Sequence, residues 1–403
     1  MLAFILSLVL HVSAGESINA ALDSARTVYA ERGEKTTILV APGTYREELT
    51  IDIPGLTLKN AARKPSIKLL NNGVDCDKNA VRITWYYGHG YQYRSMGDKI
   101  NYGGSRMRLW NASVLVTAPD FTAENIIFEN SFNLYVCDPE AADSLVDISQ
   151  SDMPWTEKER PKKIMPVRPK EAGSTEVQKK AYRERAAAIS FGENATNAHL
   201  KNCRAVGRQD VLYGAQGASV YWEKGILQGG VDFIFGAMTM AVDRAVIVAN
   251  INGEKNDKCY IAAGRSGSNE QGGRDTEANS RGLLFYKCHI RLANEDELVL
   301  YKNTAKHANE APVPMVWLAR PWRWWGETVW AYTTWEKGIL NAEGWSVGLV
   351  SKKPGYDALN ACPNSYEYRS QDRSVGRPKW VTVLQRPTLP DGTRLTPQHW
   401  LDH

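Results

Sequence analysis

Apolar residues along this chain recur in short alternating runs, and helical periodicity is nearly absent. Six runs define the pattern: LTLKNA from Leu56, FTAENIIFEN from Phe121, AHLKNCRAVG from Ala198, SVYWEKGILQG from Ser219, MAVDRAVIVAN from Met240 and LLFYKCHI from Leu283. Asn, Gly or Lys interrupts each, as expected of short strands separated by turns. Most lie about 20 to 22 residues apart or near twice that, a period that fits one coil of a parallel β-helix. A propeller or sandwich would need hairpin turns such as Asn-Gly between neighbouring strands, and these are scarce. The expected fold is therefore all-β, a right-handed parallel β-helix.

The first coil of such a solenoid exposes an edge that needs a cap, and residues 17–32, SINAALDSARTVYAER, have the amphipathic spacing of a capping helix. Around 136–182 the pattern lapses into a charged, Pro-bearing stretch with EKERPKK and RPKEAG, which reads as a long insertion loop. A second loop is expected over 253–281. After Cys362 the chain turns polar and Pro-rich and is expected to pack along the outside.

A length of 403 residues allows two ordinary domains or one long solenoid, and the repeat favours the second. Apolar residues make up 43% and charged ones 23%, and no interior apolar run approaches the roughly 20 residues of a membrane-spanning helix, so no membrane partner is expected. The net charge of +4 suits an acidic polymer without requiring one. Thirteen Trp and 18 Tyr against 8 Phe favour rings with a polar edge, the kind that stack on sugars. Residues 1–14, MLAFILSLVLHVSA, read as the apolar core and small-x-small cleavage site of a secretory signal. The run lacks a Lys or Arg at its start, so it also reads as a first strand or a truncated start. The expected organisation is a signal over 1–14 and one domain over 15–403, in a secreted, extracellular or periplasmic monomer.

Six cysteines, Cys76, Cys137, Cys203, Cys259, Cys288 and Cys362, lie far apart with no CxxC pair and no His at zinc-ligand spacing, so no metal and no cofactor is expected. Cys203 and Cys288 sit inside strand patterns and are expected as buried thiols.

Three stretches carry candidate chemistry: GRQDVLYG from Gly207, GGVDFIFG from Gly229 and LARPWRWW from Leu318. Asp210 and Asp232 are 22 residues apart, close to one coil, which would stack them on neighbouring strands about 4.8 Å apart. Two carboxylates so close titrate jointly; one stays charged beside a cation while the other keeps a proton. Arg320 can hold one ionised through a bidentate contact, with Trp322 beside it as a flat face for a sugar ring. Gln209 can donate a side-chain N–H to a developing oxyanion. Arg185 lies 24 residues before Gln209, one coil upstream, and would add positive charge to the same groove.

QDVLY, VDFIFG and ARPW, in this order and at these distances, closely resemble the signature blocks of pectin methylesterases. The likeness extends to PGTYREELTI from Pro42 and NASVLVTAPDFTAENIIFENS from Asn111. The resemblance implies hydrolysis of the methyl esters of pectin, a methylated polygalacturonate. It would make Asp232 the nucleophile, Asp210 the acid that protonates methanol and then activates water, Arg320 the partner of Asp232 and Gln209 an oxyanion donor. Trp322, Tyr213 and Phe235 would border the sugar subsites.

Where the common family pattern opens with Gln, this chain has Arg185 in RAAAI, whose charge would lower the pKa of a nearby Asp210. Ser113 stands where the family usually has Thr, at a groove position. Two rival readings keep the fold: an inactive or repurposed relative that binds pectin or hydrolyses another ester, and a glycoside hydrolase or lyase. Paired carboxylates also serve glycosidases, but Gln209 and Arg320 favour ester chemistry, and no calcium-binding acidic cluster accompanies the blocks. No basic stripe with interleaved aromatics appears along the sequence, so no nucleic acid is expected.

Overall fold

In the computed structural model, the described residues are 8–89, 91, 93–97, 109–145, 168–178, 185–250, 258–265, 281–297, 316–323, 325–348, 362, 364–371 and 376–402. Their strands form three parallel sheets of eleven, eight and seven strands, plus one small antiparallel pair, Leu69–Leu70 with Asp75–Cys76. One coil shows the winding. Ser219–Glu223 lies in the eleven-stranded sheet, Ile226–Gly229 in the eight-stranded and Val231–Gly236 in the seven-stranded, before Thr239–Asp243 returns to the first. Ser219 is paired in register with Thr239, so this coil advances the chain by one strand. The chain is a parallel β-helix, as its repeat implies.

The apolar runs explain themselves in this geometry, because five of the six span the corner between the eleven- and eight-stranded sheets, while LTLKNA supplies only Thr57–Asn60 of the first. FTAENIIFEN supplies Thr122–Glu124 and Ile126–Asn130, with Asn125 between them in the left-handed region at φ 58°. Asn202, Lys224, Arg244 and Lys287 turn the same corner in later coils with φ from 49° to 59°. These are the Asn and Lys interruptions seen in the sequence. Inward-facing residues then stack from coil to coil: Leu200, Trp222, Val242, Phe285 and Trp330 are consecutive register partners, all fully buried. The rings of Phe285 and Trp330 lie 3.8 Å apart and 8° from parallel. Each such side chain contributes roughly 1.5–3 kcal/mol through burial, so the core is a column along the axis.

The capping helix is Ile18–Arg32, with the Ser17 hydroxyl accepting from the Ala20 N–H and Gly33 closing the other end at φ 64°. It buries Ile18, Leu22 and Ala25 against the first coil. Leu8–Val12, inside the run that also reads as a secretory signal, forms a strand parallel to Thr36–Val40. The period-two alternation of that run, with Val9 exposed and Val12 buried, suits a strand. The second expected loop needs correction, since Cys259–Gly264 is a strand between Val231–Gly236 and Val316–Ala319. Of the first, residues 138–142 form a short helix, and 146–167 lie outside the described residues. After Cys362, Ser365–Tyr368 and then Thr382–Val383 still add strands to the eleven-stranded sheet. Only then does the chain pack outside, where Trp400 is buried with Leu389 and Leu395.

None of the six cysteines is in a disulfide. Cys203 and Cys288 are buried as expected, and burial pushes both thiols up to about 12. Among the described residues no helix is long and apolar enough to cross a membrane, and no group of three His, Cys, Asp or Glu could hold a metal.

Candidate active site

The two aspartates lie where the chain passes from the eight- to the seven-stranded sheet. Bridges pair Arg185 with Gln209 and Gln209 with Val231, so Asp210 and Asp232, each one residue further on, face each other across neighbouring coils. The Asp210 N–H donates to the Val231 carbonyl at 3.0 Å, which locks the register. Both aspartates are left-handed, Asp210 at φ 60° and Asp232 at φ 50°. Asp232 also sits at a bulge, where the pairing of Val231–Gly236 with Cys259–Gly264 slips between Val231 and Ile234. A bulge and a positive φ re-aim a side chain that regular pleating would send elsewhere, and strain of this kind concentrates at functional positions. The last residue of the strand, Gly236, has to be glycine because a β-carbon there, at φ 124°, would stand 2.1 Å from the Gly214 carbonyl oxygen.

Arg320 follows Val316–Ala319, fixed by its N–H to the Ala262 carbonyl at 2.9 Å. Its Nε and Nη2 each donate to one carboxylate oxygen of Asp232 at 2.6 Å, the bidentate clamp expected from the sequence. Burial alone would pull the guanidinium down, but the hydrogen bonds and charge of Asp232 outweigh it and raise its pKa. Beneath it lies Tyr260, whose ring centre is 4.0 Å from the guanidinium carbon.

Asp210 is 5% exposed, and its pKa is raised to about 8, first by burial and then by the charge of Asp232. Arg185, Arg320 and a hydrogen bond from the Gln209 side chain pull the other way. Arg185 thus acts in the direction its charge implies, yet burial and Asp232 dominate. The five residues Arg185, Gln209, Asp210, Asp232 and Arg320 converge on one spot. Gln209 differs from expectation in that its side chain engages Asp210; one amide hydrogen remains for an oxyanion.

The aromatic residues form one cluster. Tyr213 and Phe235 are register partners with ring centres 5.1 Å apart, and Trp322 lies 5.8 Å from Phe235. Trp110, absent from the sequence-based candidates, packs against all three at 5.2 to 5.9 Å and against His89 at 4.5 Å. With Trp110 in place, Phe235 is only 3% exposed, so it backs the groove more than it borders it. Arg265 and Arg323 stand 5.4 and 5.0 Å from the Trp322 ring centre. Ser113 is not a groove residue here. It is fully buried, its hydroxyl accepts from the Trp85 N–H at 3.1 Å, and its backbone joins two coils. Tyr260 was missed because its strand lay in a presumed loop, and Trp110 because nothing periodic marks it.

Residues 172–361, which contain every member of the aspartate cluster, match the family model described as Pectinesterase. Over that stretch the chain is similar to pectinesterases. It is 23% identical over 329 residues to "Probable pectinesterase/pectinesterase inhibitor 58" of Arabidopsis thaliana, covering 80% of this chain and 45% of that one. "Probable pectinesterase A" of Aspergillus flavus is 27% identical over 179 residues, 44% of this chain and 46% of its own length. The chain thus spans about half the length of these pectinesterases; for Pectinesterase 31 of Arabidopsis thaliana the share is 73%, at 24% identity. Among solved structures, a pectin methylesterase in complex with a hexasaccharide superposes with TM-score 0.58 and 19% identity over 94% of this chain and 92% of that one. The pectin methylesterase of Aspergillus niger gives 0.57 and 20% over 98% and 95%. These structural likenesses establish the shared parallel β-helix.

Proposed function

We propose that the protein hydrolyses methyl esters of polygalacturonate, with Asp232 as nucleophile and Asp210 as acid and then base. The observation that carries this reading is the division of charge between two stacked aspartates. Arg320 clamps Asp232 as a carboxylate, while burial and its neighbour favour the neutral acid form of Asp210 at pH 7. Asp232 attacks the ester carbonyl carbon, and Asp210 gives its proton to the methoxy oxygen as that bond breaks and methanol leaves. The intermediate is an anhydride between Asp232 and the galacturonyl group. Asp210, now ionised, takes a proton from water whose oxygen attacks the galacturonyl carbon, and Asp232 departs as a carboxylate. Arg185 and the second amide hydrogen of Gln209 face the oxyanion formed in each half.

Trp322 and Tyr213 offer ring faces for the sugars beside the ester, and the groove is read as taking several sugars, as the neighbour holding a hexasaccharide does. A polymer of this kind lies outside cells, so the reading carries export with it, although Leu8–Val12 gives that no support. Methanol release from highly methylated pectin tests the reading. The wild-type protein is expected to turn over, and Asp232→Asn to lose at least about a thousandfold in kcat without losing its fold. A wild-type protein that binds pectin and releases no methanol would make it a binding relative instead.

A further inference from the structure

The corner between the eleven- and eight-stranded sheets carries a row of side chains that this chemistry does not use. Lys224, Arg244, Lys287, Tyr332 and Arg369 turn that corner in five consecutive coils of the eleven-stranded sheet. Each backbone N–H of the first four donates to the residue just before the next corner: Lys224 to Asp243 at 2.8 Å, and Arg244, Lys287 and Tyr332 to Tyr286, Ala331 and Tyr368 at 2.9 Å. The row therefore advances by one strand spacing, about 4.8 Å per residue. All five are left-handed, with φ from 46° to 59°.

Upstream, the same row holds Asn125 and Asn202, a residue type that enters this region easily, with the Asn202 amide donating to Asn125 at 2.6 Å. A Lys or Arg there costs roughly 1 kcal/mol more. The four cations are nevertheless exposed at these strained positions. Arg244 is compensated by Asp243 at 2.6 Å and Glu223 at 3.4 Å. Lys224, Lys287 and Arg369 form no ion pair among the described residues. These three occupy alternate coils, so their spacing is about 10 Å. Tyr332 lies between the last two, its ring 5.5 Å from Tyr286 and 5.1 Å from Tyr368, with the Lys287 amine 6.0 Å from its centre.

We propose that this corner is a second, non-catalytic binding site for a linear polyuronate, which holds the protein on de-esterified stretches of polymer. A compact anion would reach one cation; an extended chain with regularly repeated carboxylates meets all three, and the half-buried Tyr286 and Tyr332 offer an apolar face to its sugar rings. The corner lies between two sheets, and the aspartates lie at the edge of the third. Engagement of one long polymer at both places adds avidity without touching the chemistry. The choice of a polyuronate rests on the proposed reaction, which yields that polymer. The row of cations does not.

The test compares the full chain with the triple variant Lys224→Asn, Lys287→Asn, Arg369→Asn, whose asparagines keep the left-handed corner while removing charge. Binding to polygalacturonic acid is expected to weaken about tenfold at low salt, and the slope of log K against log salt to flatten by about 2 to 3. Methanol release from a short methyl-esterified oligogalacturonate stays unchanged. An unchanged affinity and slope would overturn the proposal, as would wild-type binding to duplex DNA as tight as to polygalacturonic acid. No methanol from either protein, with the binding difference intact, would refute the proposed reaction and uphold the row.

Discussion

Asp210 and Asp232 share a backbone conformation with Lys224, Lys287 and Arg369, yet the solenoid uses the two groups in opposite ways. At the aspartates the strained backbone turns acidic groups into a walled groove, where Arg320 clamps one and burial keeps the other neutral. At the corner the same strain holds cations out into solvent, at regular spacing, with tyrosines beneath them. One coil geometry thus builds a place where charges are paired and desolvated, and another where charges stay hydrated at regular spacing. Substitutions in the first should change rate constants steeply; substitutions in the second should act through salt-sensitive binding.

The steepest contrast is expected at Arg320. Arg320→Gln leaves Asp232 without its clamp, and kcat for methanol release should fall on the order of a hundredfold or more, with a smaller change in KM. A variant that kept its full rate would remove Arg320 from the mechanism. Asp210→Asn separates activity from stability. Rate should fall sharply, but the fold should gain stability, because the native pKa of about 8 lies above the ordinary 3.8. Below pH 4 both folded and unfolded states bind the proton. As pH rises from about 4 to about 8 the unfolded chain ionises first, which erodes stability by up to a few kcal/mol, and the asparagine variant escapes that loss. Denaturant unfolding of both proteins at several pH values checks this; a gain independent of pH would contradict it.

Arg185→Gln is expected to have a subtler effect. Removing a cation that lowers the Asp210 pKa should move the basic limb of the pH–rate profile upward, by about half a unit to one unit, while wild type and variant converge at lower pH. The smallest effect is expected at Trp110. Trp110→Ala uncovers Phe235, and KM for pectin should change several-fold with kcat nearly constant.

The coil repeat was legible because apolar alternation and corner residues are local features, written into runs such as FTAENIIFEN. The aspartate pair was legible because 22 residues is close to one coil and the surrounding motifs are dense. Leu8–Val12 reads two ways because a short apolar run serves a strand and a secretory signal equally; in the structure it pairs with Thr36–Val40. Cys259–Gly264 was lost because its apolar run is flanked by polar, Gly-bearing stretches on both sides. The basic corner was invisible for a different reason. Its members lie 20 to 45 residues apart in sequence, and only the register of the coils lines them up.

The central claim is that a neutral Asp210 and an ionised Asp232 act together on a methyl ester. It is tested most directly by methanol release from highly methylated pectin, followed from about pH 4 to about pH 10. The account predicts turnover near neutrality and a fall in kcat/KM as pH rises through about 8, where Asp210 gives up its proton. Turnover that continued undiminished well above that pH, or no methanol at any pH, would contradict it.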